Sequence, residues 1–428
     1  MQKINYFCIV KRFKYILRGL FVLFLTLSQS TTACANETDS VSISLLTCGP
    51  GQEVYSYYGH TAIRIQGKPF YFVDRRGNTS EFNDVVINYG CFSFRQKYFI
   101  LRFVFGLTDY QVGVSTFDQF IEEYTRENRW VKEQVLRLTV EEKDAIYDAI
   151  QTNLLKENRT YRYNYFYDNC TTRARDMLVG HMKGCVNYHF SNRQEKTYRS
   201  MVCSFCSHHP WSAFGNNLLL GAGADSPLSA TEQQFLPIPL FEDFEQATVT
   251  TADGVEQPLV TENIDLIPNL THSDESNEEA AFVLFSPQVV LGALSILILL
   301  LMLVEMKRKK VMWGIDAMVM TLSGMLGLVL FAMIFSQHPT VSCNFQILLL
   351  NPLNLVFLYP TIQQMRKHKL HFWYIASTAL LGLCAVIGIF GIQHYAEGML
   401  FLACTLLTRQ CWVIFHYNKN IKSNQTNE

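Results

Sequence analysis

The chain has 428 residues, and its 36 lysines and arginines nearly match 37 aspartates and glutamates, for a formal net charge of −1. That balance gives no argument for a nucleic-acid partner. It also hides an asymmetry, because the composition turns abruptly apolar from about Ala281 onward.

The first residues combine a basic segment (Lys11, Arg12, Lys14 and Arg18), a short apolar run from Leu20 to Leu27, and small residues ending in Ala33-Cys34-Ala35. This pattern predicts an export signal over residues 1–35, cleaved after Ala35; a lipobox with Cys34 as the modified residue is the runner-up. Residues 36–270 then form an exported domain, long enough for a sizeable core.

Within that domain, Val41 to Thr47 alternates like a strand. It leads through Cys48-Gly49-Pro50-Gly51 and a tyrosine-rich segment to His60. His60 to Ile65, Pro69 to Val73 and Asp84 to Asn88 read as antiparallel strands, joined by turns at Gly67-Lys68 and Arg75-Arg76-Gly77-Asn78. If the last strand returns beside the first, Asn88 comes near His60 and can orient its imidazole; Asp84 and Asp74 are alternatives. Tyr98 to Gly106 is aromatic with a few cations, so it could pack in the core or lie on a membrane surface. Phe117–Asn128 and Val140–Leu155 read as amphipathic helices, the second entered through a Thr139/Glu142 capping box.

Asp168-Asn169-Cys170-Thr171-Thr172-Arg173 places a thiol in the first turn of a capped helix. Helix N-termini favour thiolate over thiol and offer amide donors for an oxyanion. Cys170 is therefore a candidate nucleophile and His60 its base, although a lone cysteine is most often simply buried. Ala174, Met177 and Leu178 turn this helix toward the sheet.

The exported domain carries five further cysteines: Cys48, Cys91, Cys185, Cys203 and Cys206. Cys203 and Cys206, followed by His208 and His209, fit a disulfide, simple burial, a redox pair or half of a zinc site. Residues 271–281 read as an acidic linker. Residues 282–417 hold five apolar stretches long enough to span a bilayer, near 283–304, 313–335, 344–363, 372–393 and 398–416. Lysines and arginines follow the first, third and fifth stretches, which places those ends and the tail 418–428 in the cytoplasm. Asp316, His338, Asn344 and Asn351 are polar groups in or near the spans, suited to a lipid-facing role or to helix packing.

Tyr57-Tyr58-Gly59-His60-Thr61-Ala62-Ile63-Arg64, Ile87-Asn88-Tyr89-Gly90 with Phe92 and Phe94, and Asp168 to Asp176 together resemble the Lnb-type N-terminal periplasmic domain. Trp211, Leu220-Gly221 and Phe235-Leu236-Pro237 continue the likeness. His338-Pro339, Asn344 and Asn351-Pro352-Leu353 are similar to the associated five-span Lnb domain.

The resemblance implies an α+β chain: a circularly permuted papain-like domain of NlpC/P60 and lecithin retinol acyltransferase type, then a five-helix transmembrane domain. It implies lipoprotein N-acylation in the bacterial inner membrane, in which Cys170, His60 and Asn88 move an acyl chain from a phospholipid to the N-terminal amine of a lipid-modified cysteine. Bacterial lipoproteins would be the acceptors, and neither metal nor organic cofactor is required. Relative to the family pattern, Pro69 to Phe82 reads as an insertion. The rival readings are a Cys/His cell-wall peptidase or amidase, and a non-enzymatic sensor or assembly protein.

Overall fold

The computed structural model describes residues 40–73, 79–93, 97–190, 194–251, 254–269 and 285–425. The expected export signal, the acidic linker, Asp74 and the end of the tail lie outside the described residues. The fold is mixed α+β, a sheet-rich domain followed by a helical bundle, as the sequence leads one to expect.

The strands are β1 (Ser42–Cys48), β2 (His60–Val73), β3 (Thr79–Cys91), β4 (Asp109–Thr116), β5 (Val131–Leu136), β6 (Thr160–Arg162), β7 (Cys185–Asn187), β8 (Thr248–Thr250), β9 (Glu256–Pro258) and β10 (Val260–Ile267). Seven of them form one antiparallel sheet in the order β10-β5-β1-β2-β3-β4-β6. The other three make a small sheet in the order β7-β8-β9. Pairing of Ala62 with Asn88 and of Cys48 with His60 sets the register at the end of the sheet that matters here.

One expectation is corrected. Gly67-Lys68 is not a hairpin turn; β2 runs straight through it, and a register shift between Gln66 and Phe70 absorbs the irregularity. Residues 70–73 and 79–82 therefore extend the β2–β3 pair, and the turn expected at Arg75-Arg76-Gly77-Asn78 lies outside the described residues. Apolar residues continue on both sides of the glycine, so the ladder keeps its buried face, and Phe70 is fully buried.

Both faces of the sheet are covered. Ile43, Leu45, Ile63, Ile65, Val85 and Ile87 point into the main core. That face meets α3 (Val140–Leu154), α4 (Cys170–Val179) and α7 (Pro237–Gln246). On the other face Leu46, Ala62 and Val86 pack against Phe120 and Tyr124 of α2 (Phe117–Arg126). Alternation along β1 and β2 thus feeds two cores from one set of strands. Both long-helix starts carry capping boxes, Thr116/Gln119 on α2 and Thr139/Glu142 on α3.

The aromatic segment forms α1 (Phe99–Val104), and it is not core: Leu101 and Phe103 are exposed. Residues Tyr161 to Tyr167 alternate in the sequence, but of them only Tyr161 and Arg162 are strand, in β6.

The membrane half contains α8 (Pro287–Arg308), α9 (Trp313–Ile334), α10 (Leu353–Val356), α11 (Leu358–Arg366), α12 (Phe372–Ile389) and α13 (Met399–Gln425). Four of these are long and apolar enough to cross a bilayer. The third expected span is instead a broken pair, Phe345–Val356 and Leu358–Arg366, bent by 78°. Pro352 and Pro360 lie within this stretch, and each removes a backbone donor from any continuous helix.

The two halves form one compact unit over Ser42–Glu428. The chain after α6 (Pro210–Leu219) docks on the loops at one end of the bundle: Gly221 N–H donates to Thr340 O at 2.8 Å and Ala222 N–H to Cys343 O at 2.8 Å. Buried Arg199, on α5 (Tyr198–Ser204), underpins that segment, bridging Asp225 at 2.8 Å and the carbonyls of Asn217, Leu220 and Gly221. Asn344 and Gln393 reach back from the bundle to the carbonyls of Leu218 and Leu220.

Candidate active site

Asn169 is the N-cap of α4. Its side-chain oxygen accepts from Thr171 N–H at 2.8 Å and Thr172 N–H at 2.9 Å, and Thr172 Oγ1 accepts from Asn169 N–H at 2.9 Å. Its amide group donates to the carbonyls of Tyr165 and Phe235, so the cap is also tied to the core. Asp168 adds an ion pair to Arg173 at 2.5 Å. With the second and third amides satisfied by the cap, the N–H of Cys170 itself faces the hydroxyl of Tyr163.

His60 opens β2, and α4 packs against β2 and β3. The link is fixed by Thr61 and Thr171, whose buried hydroxyls are 3.1 Å apart. This brings the imidazole of His60 within hydrogen-bond reach of the Cys170 thiol, although the two lie 110 positions apart in the chain. His60 Nε2 stands 3.1 Å from Asn88 Oδ1. The Asn88 amide nitrogen is spent on Val86 O at 3.5 Å and Ser115 Oγ at 3.4 Å, so its oxygen is the end that faces the ring. Nε2–H therefore donates to Asn88, leaving Nδ1 for the sulfur.

The three residues singled out from sequence come together, and Asp84, one alternative for the third, does not join them. Asp84 is committed to Arg64, with contacts of 2.7 and 2.9 Å.

The electrostatics separate Cys170 from its neighbours. Burial pushes its thiol up, but the charge of His60, a hydrogen bond to that ring, the Thr61 N–H and the Thr171 hydroxyl bring it down to about 7. Burial lowers His60 in turn, but the Cys170 thiolate and the hydrogen bonds to Cys170 and Asn88 outweigh it and leave the ring's pKa raised. At the other thiols burial outweighs the nearby hydrogen bonds and cations, and it pushes Cys48 up to about 12 and both Cys91 and Cys203 up to about 11. At Cys170 the charge and hydrogen bond of an adjacent imidazole outweigh the desolvation that prevails at the other three.

Gly90 completes the floor. It has φ +84, and a Cβ there would stand 3.2 Å from the Tyr163 ring and 3.7 Å from Cys170 Cβ. Above it Tyr163 stacks on Tyr110 at 4.2 Å, and Tyr110 meets Phe92 at 5.1 Å. Tyr165 continues the aromatic wall to His338, with ring centroids 5.0 Å apart. His338 belongs to the loop after α9, and its Nε2 donates to Phe103 O at 2.5 Å. The wall thus runs from the thiol to the membrane bundle.

Residues 29–202 match the family described as the Lnb N-terminal periplasmic domain, and residues 277–420 match the Lnb transmembrane domain. The chain belongs to the Lnb family. No curated protein and no solved structure matches it. Family membership makes this a membrane-bound protein with a periplasmic domain, and the Cys170–His60–Asn88 chain lies in the Lnb periplasmic domain.

Several residues of this Lnb site were not legible in the sequence. Thr61 and Tyr163 reach the thiol through tertiary packing, and although Thr61 and Thr171 lie in the motifs around His60 and Cys170, nothing local marks any of the three as a partner of the thiol. Cys203 and Cys206 are separate free thiols: Cys203 donates to Asn217 Oδ1 at 3.1 Å, and Cys206 lies 3.6 Å from Tyr58 Oη. Of the polar span residues, Asp316 and Asn344 are buried in packing contacts, and Asn351 caps Leu353 N–H at 3.0 Å.

Proposed function

We propose that this protein is a lipoprotein N-acyltransferase of the bacterial inner membrane. It would move an acyl chain from a phospholipid to the free amine of a lipid-modified N-terminal cysteine. The observation that carries the reading is the location of an activated thiol: Cys170, lowered to about 7 by its His60 partner, opens a helix whose approach passes through Tyr165 onto a membrane loop.

The chemistry runs in two halves. The Cys170 thiolate attacks the ester carbonyl of a membrane lipid, and the negative oxygen takes the Cys170 N–H in place of the Tyr163 hydroxyl. The ester C–O bond breaks, the departing lysolipid alkoxide takes the proton of His60, and an acyl thioester remains on Cys170. The amine of the acceptor cysteine then attacks the thioester, its proton passes to His60, the C–S bond breaks and the thiolate returns. Asn88 holds the ring in the tautomer both halves need. An amine competes well for a thioester when water is scarce, and the aromatic wall and the nearby bilayer favour that condition.

On this reading the mature catalytic domain covers residues 36–270 and the membrane domain residues 282–417. The broken helix pair counts as the third of five spans, and the tail 418–428 is cytoplasmic. The deciding experiment is mass spectrometry of lipoprotein N-termini in a host depleted of its own N-acyltransferase. Triacylated termini with the native chain and diacylated termini with Cys170→Ala are expected. Diacylated termini with both would overturn the proposal.

A further inference from the structure

The end of the membrane bundle that carries the sheet domain contains a cavity of about 700 Å³ between α8, α12 and α13. Its lining changes character with depth. Gln288, His394 and Glu397 sit at helix ends and in the connecting loop, whereas Gly292, Leu400 and Phe401 lie further along the helices. Phe401 is 48% exposed and Ile389 65% exposed, so the apolar walls open sideways toward where lipid chains stand.

The polar end holds an unfinished pair. Glu397 Oε1 accepts from Asn217 Nδ2 at 2.8 Å, whereas Oε2 is buried and has no hydrogen-bond partner among the described residues. A buried carboxylate oxygen without a donor is costly unless a ligand completes it. His394 stands beside it with Nδ1–H on Asp225 Oδ1 at 3.1 Å, which leaves Nε2 as a second acceptor at the same mouth. Two acceptors, a carboxylate oxygen and an imidazole nitrogen, at the mouth of an apolar slot match a headgroup with a cationic amine above acyl chains.

We propose that this cavity binds a phospholipid whose headgroup carries a primary ammonium, with Glu397 Oε2 and His394 Nε2 as acceptors at the ammonium end and the acyl chains lying along Leu400 and Phe401. As a binding site it stands on the cavity alone; as the store of acyl donor it rests on the acyl-transfer reading. The adjoining helix α6 connects it to the site: Asn217 contacts Glu397, and Asn216 donates to Tyr58 Oη at 2.8 Å, two residues before His60.

The test uses the delipidated full-length chain with Cys170→Ala, which blocks turnover, in detergent micelles mixed with phosphatidylethanolamine or phosphatidylglycerol of identical chains. Retained lipid is read by native mass spectrometry. Phosphatidylethanolamine should be retained about tenfold over phosphatidylglycerol, as for a charge-assisted contact out of bulk water. Glu397→Gln keeps the acceptor for Asn217, so the docking contact survives, and should erase the preference. Gly292→Leu, at a position where a Cβ meets nothing within 4 Å, should fill the slot and reduce retention of both lipids. Equal retention of the two lipids, an unchanged preference in Glu397→Gln, or no effect of Gly292→Leu would each overturn the site. If selectivity holds while lipoprotein termini stay diacylated, the binding site stands and the acyl-transfer reading falls; the reverse pair of results removes only the binding site.

Discussion

His60 Nε2 and Asn88 Oδ1 are 3.1 Å apart, and that one contact determines which ring nitrogen is left for the sulfur of Cys170. The pairing of Ala62 with Asn88 places the amide one step along the ladder from the histidine, where it can hold the ring from the side opposite the thiol. Removing the amide should free the ring without removing the base. Asn88→Ala is expected to lower the acyl-transfer kcat by roughly 10²-fold with little change in KM. Asn88→Asp, which keeps an acceptor, should retain more of the rate. Equal losses in kcat for Ala and Asp would show that the ring needs no acceptor there.

The thiol should titrate as one half of an ion pair. Cys170 is lowered to about 7, and His60 is raised by the thiolate it faces. Alkylation of Cys170 by iodoacetamide, followed on its own peptide by mass spectrometry, should therefore rise with pH through a midpoint near 7. In His60→Ala the favourable charge is gone while burial remains, so the midpoint should move up past the ordinary thiol value of about 8.5. Transfer activity should fall on the acid side as the thiol gains a proton, and on the alkaline side as the imidazolium loses one. A His60→Ala profile that superimposes on the native one would separate the two residues.

Much of this site was legible because its parts are local signals. Asn169 followed by Cys170 and Thr172 is a cap that any helix start can use, and His60 stands at the mouth of an alternating strand. Asn88 followed from one assumption, that the strand ending there pairs with the strand beginning at His60. What could not be read depends on tertiary contact. Gly67-Lys68 carries turn residues, yet burial of Phe70 beyond it keeps β2 continuous. The third membrane segment is apolar enough to look like a span, but Pro352 and Pro360 divide it. Docking of the domain on the bundle has no sequence signature, because its contacts are largely to backbone carbonyls, such as Arg199 to those of Leu220 and Gly221.

That docking is tight at Gly221. A Cβ there would come within 2.2 Å of Cys343 O and 2.7 Å of Thr340 O, so any larger residue must pry the domain from the membrane loops. Gly221→Val should expose the segment to limited proteolysis and abolish transfer from membrane lipid. It should leave alkylation of Cys170 within about twofold of native, since the His60 and Asn88 contacts lie within the sheet domain. A variant that is undocked by proteolysis yet fully active would mean that the reaction does not require the membrane end.

Inside the bundle, Arg409 is 1% exposed and binds both Glu305, at 2.8 and 3.0 Å, and Asp316, at 2.6 and 3.0 Å; Tyr374 Oη also donates to Asp316 at 2.8 Å. These four residues come from α8, α9, α12 and α13, so a single guanidinium ties the bundle together. Arg409→Met should leave two buried carboxylates facing each other without a cation and destabilise the bundle by about 3–5 kcal/mol. The penalty comes from the stranded charges more than from the lost attraction, so neutralising the partners should relieve it. Arg409→Met combined with Glu305→Gln and Asp316→Asn is expected to recover most of the lost stability, read as the midpoint of thermal unfolding in detergent by tryptophan fluorescence. If the triple variant melts as low as Arg409→Met alone, the ion pairs contribute attraction that neutral side chains cannot replace, and the stranded-charge account is wrong.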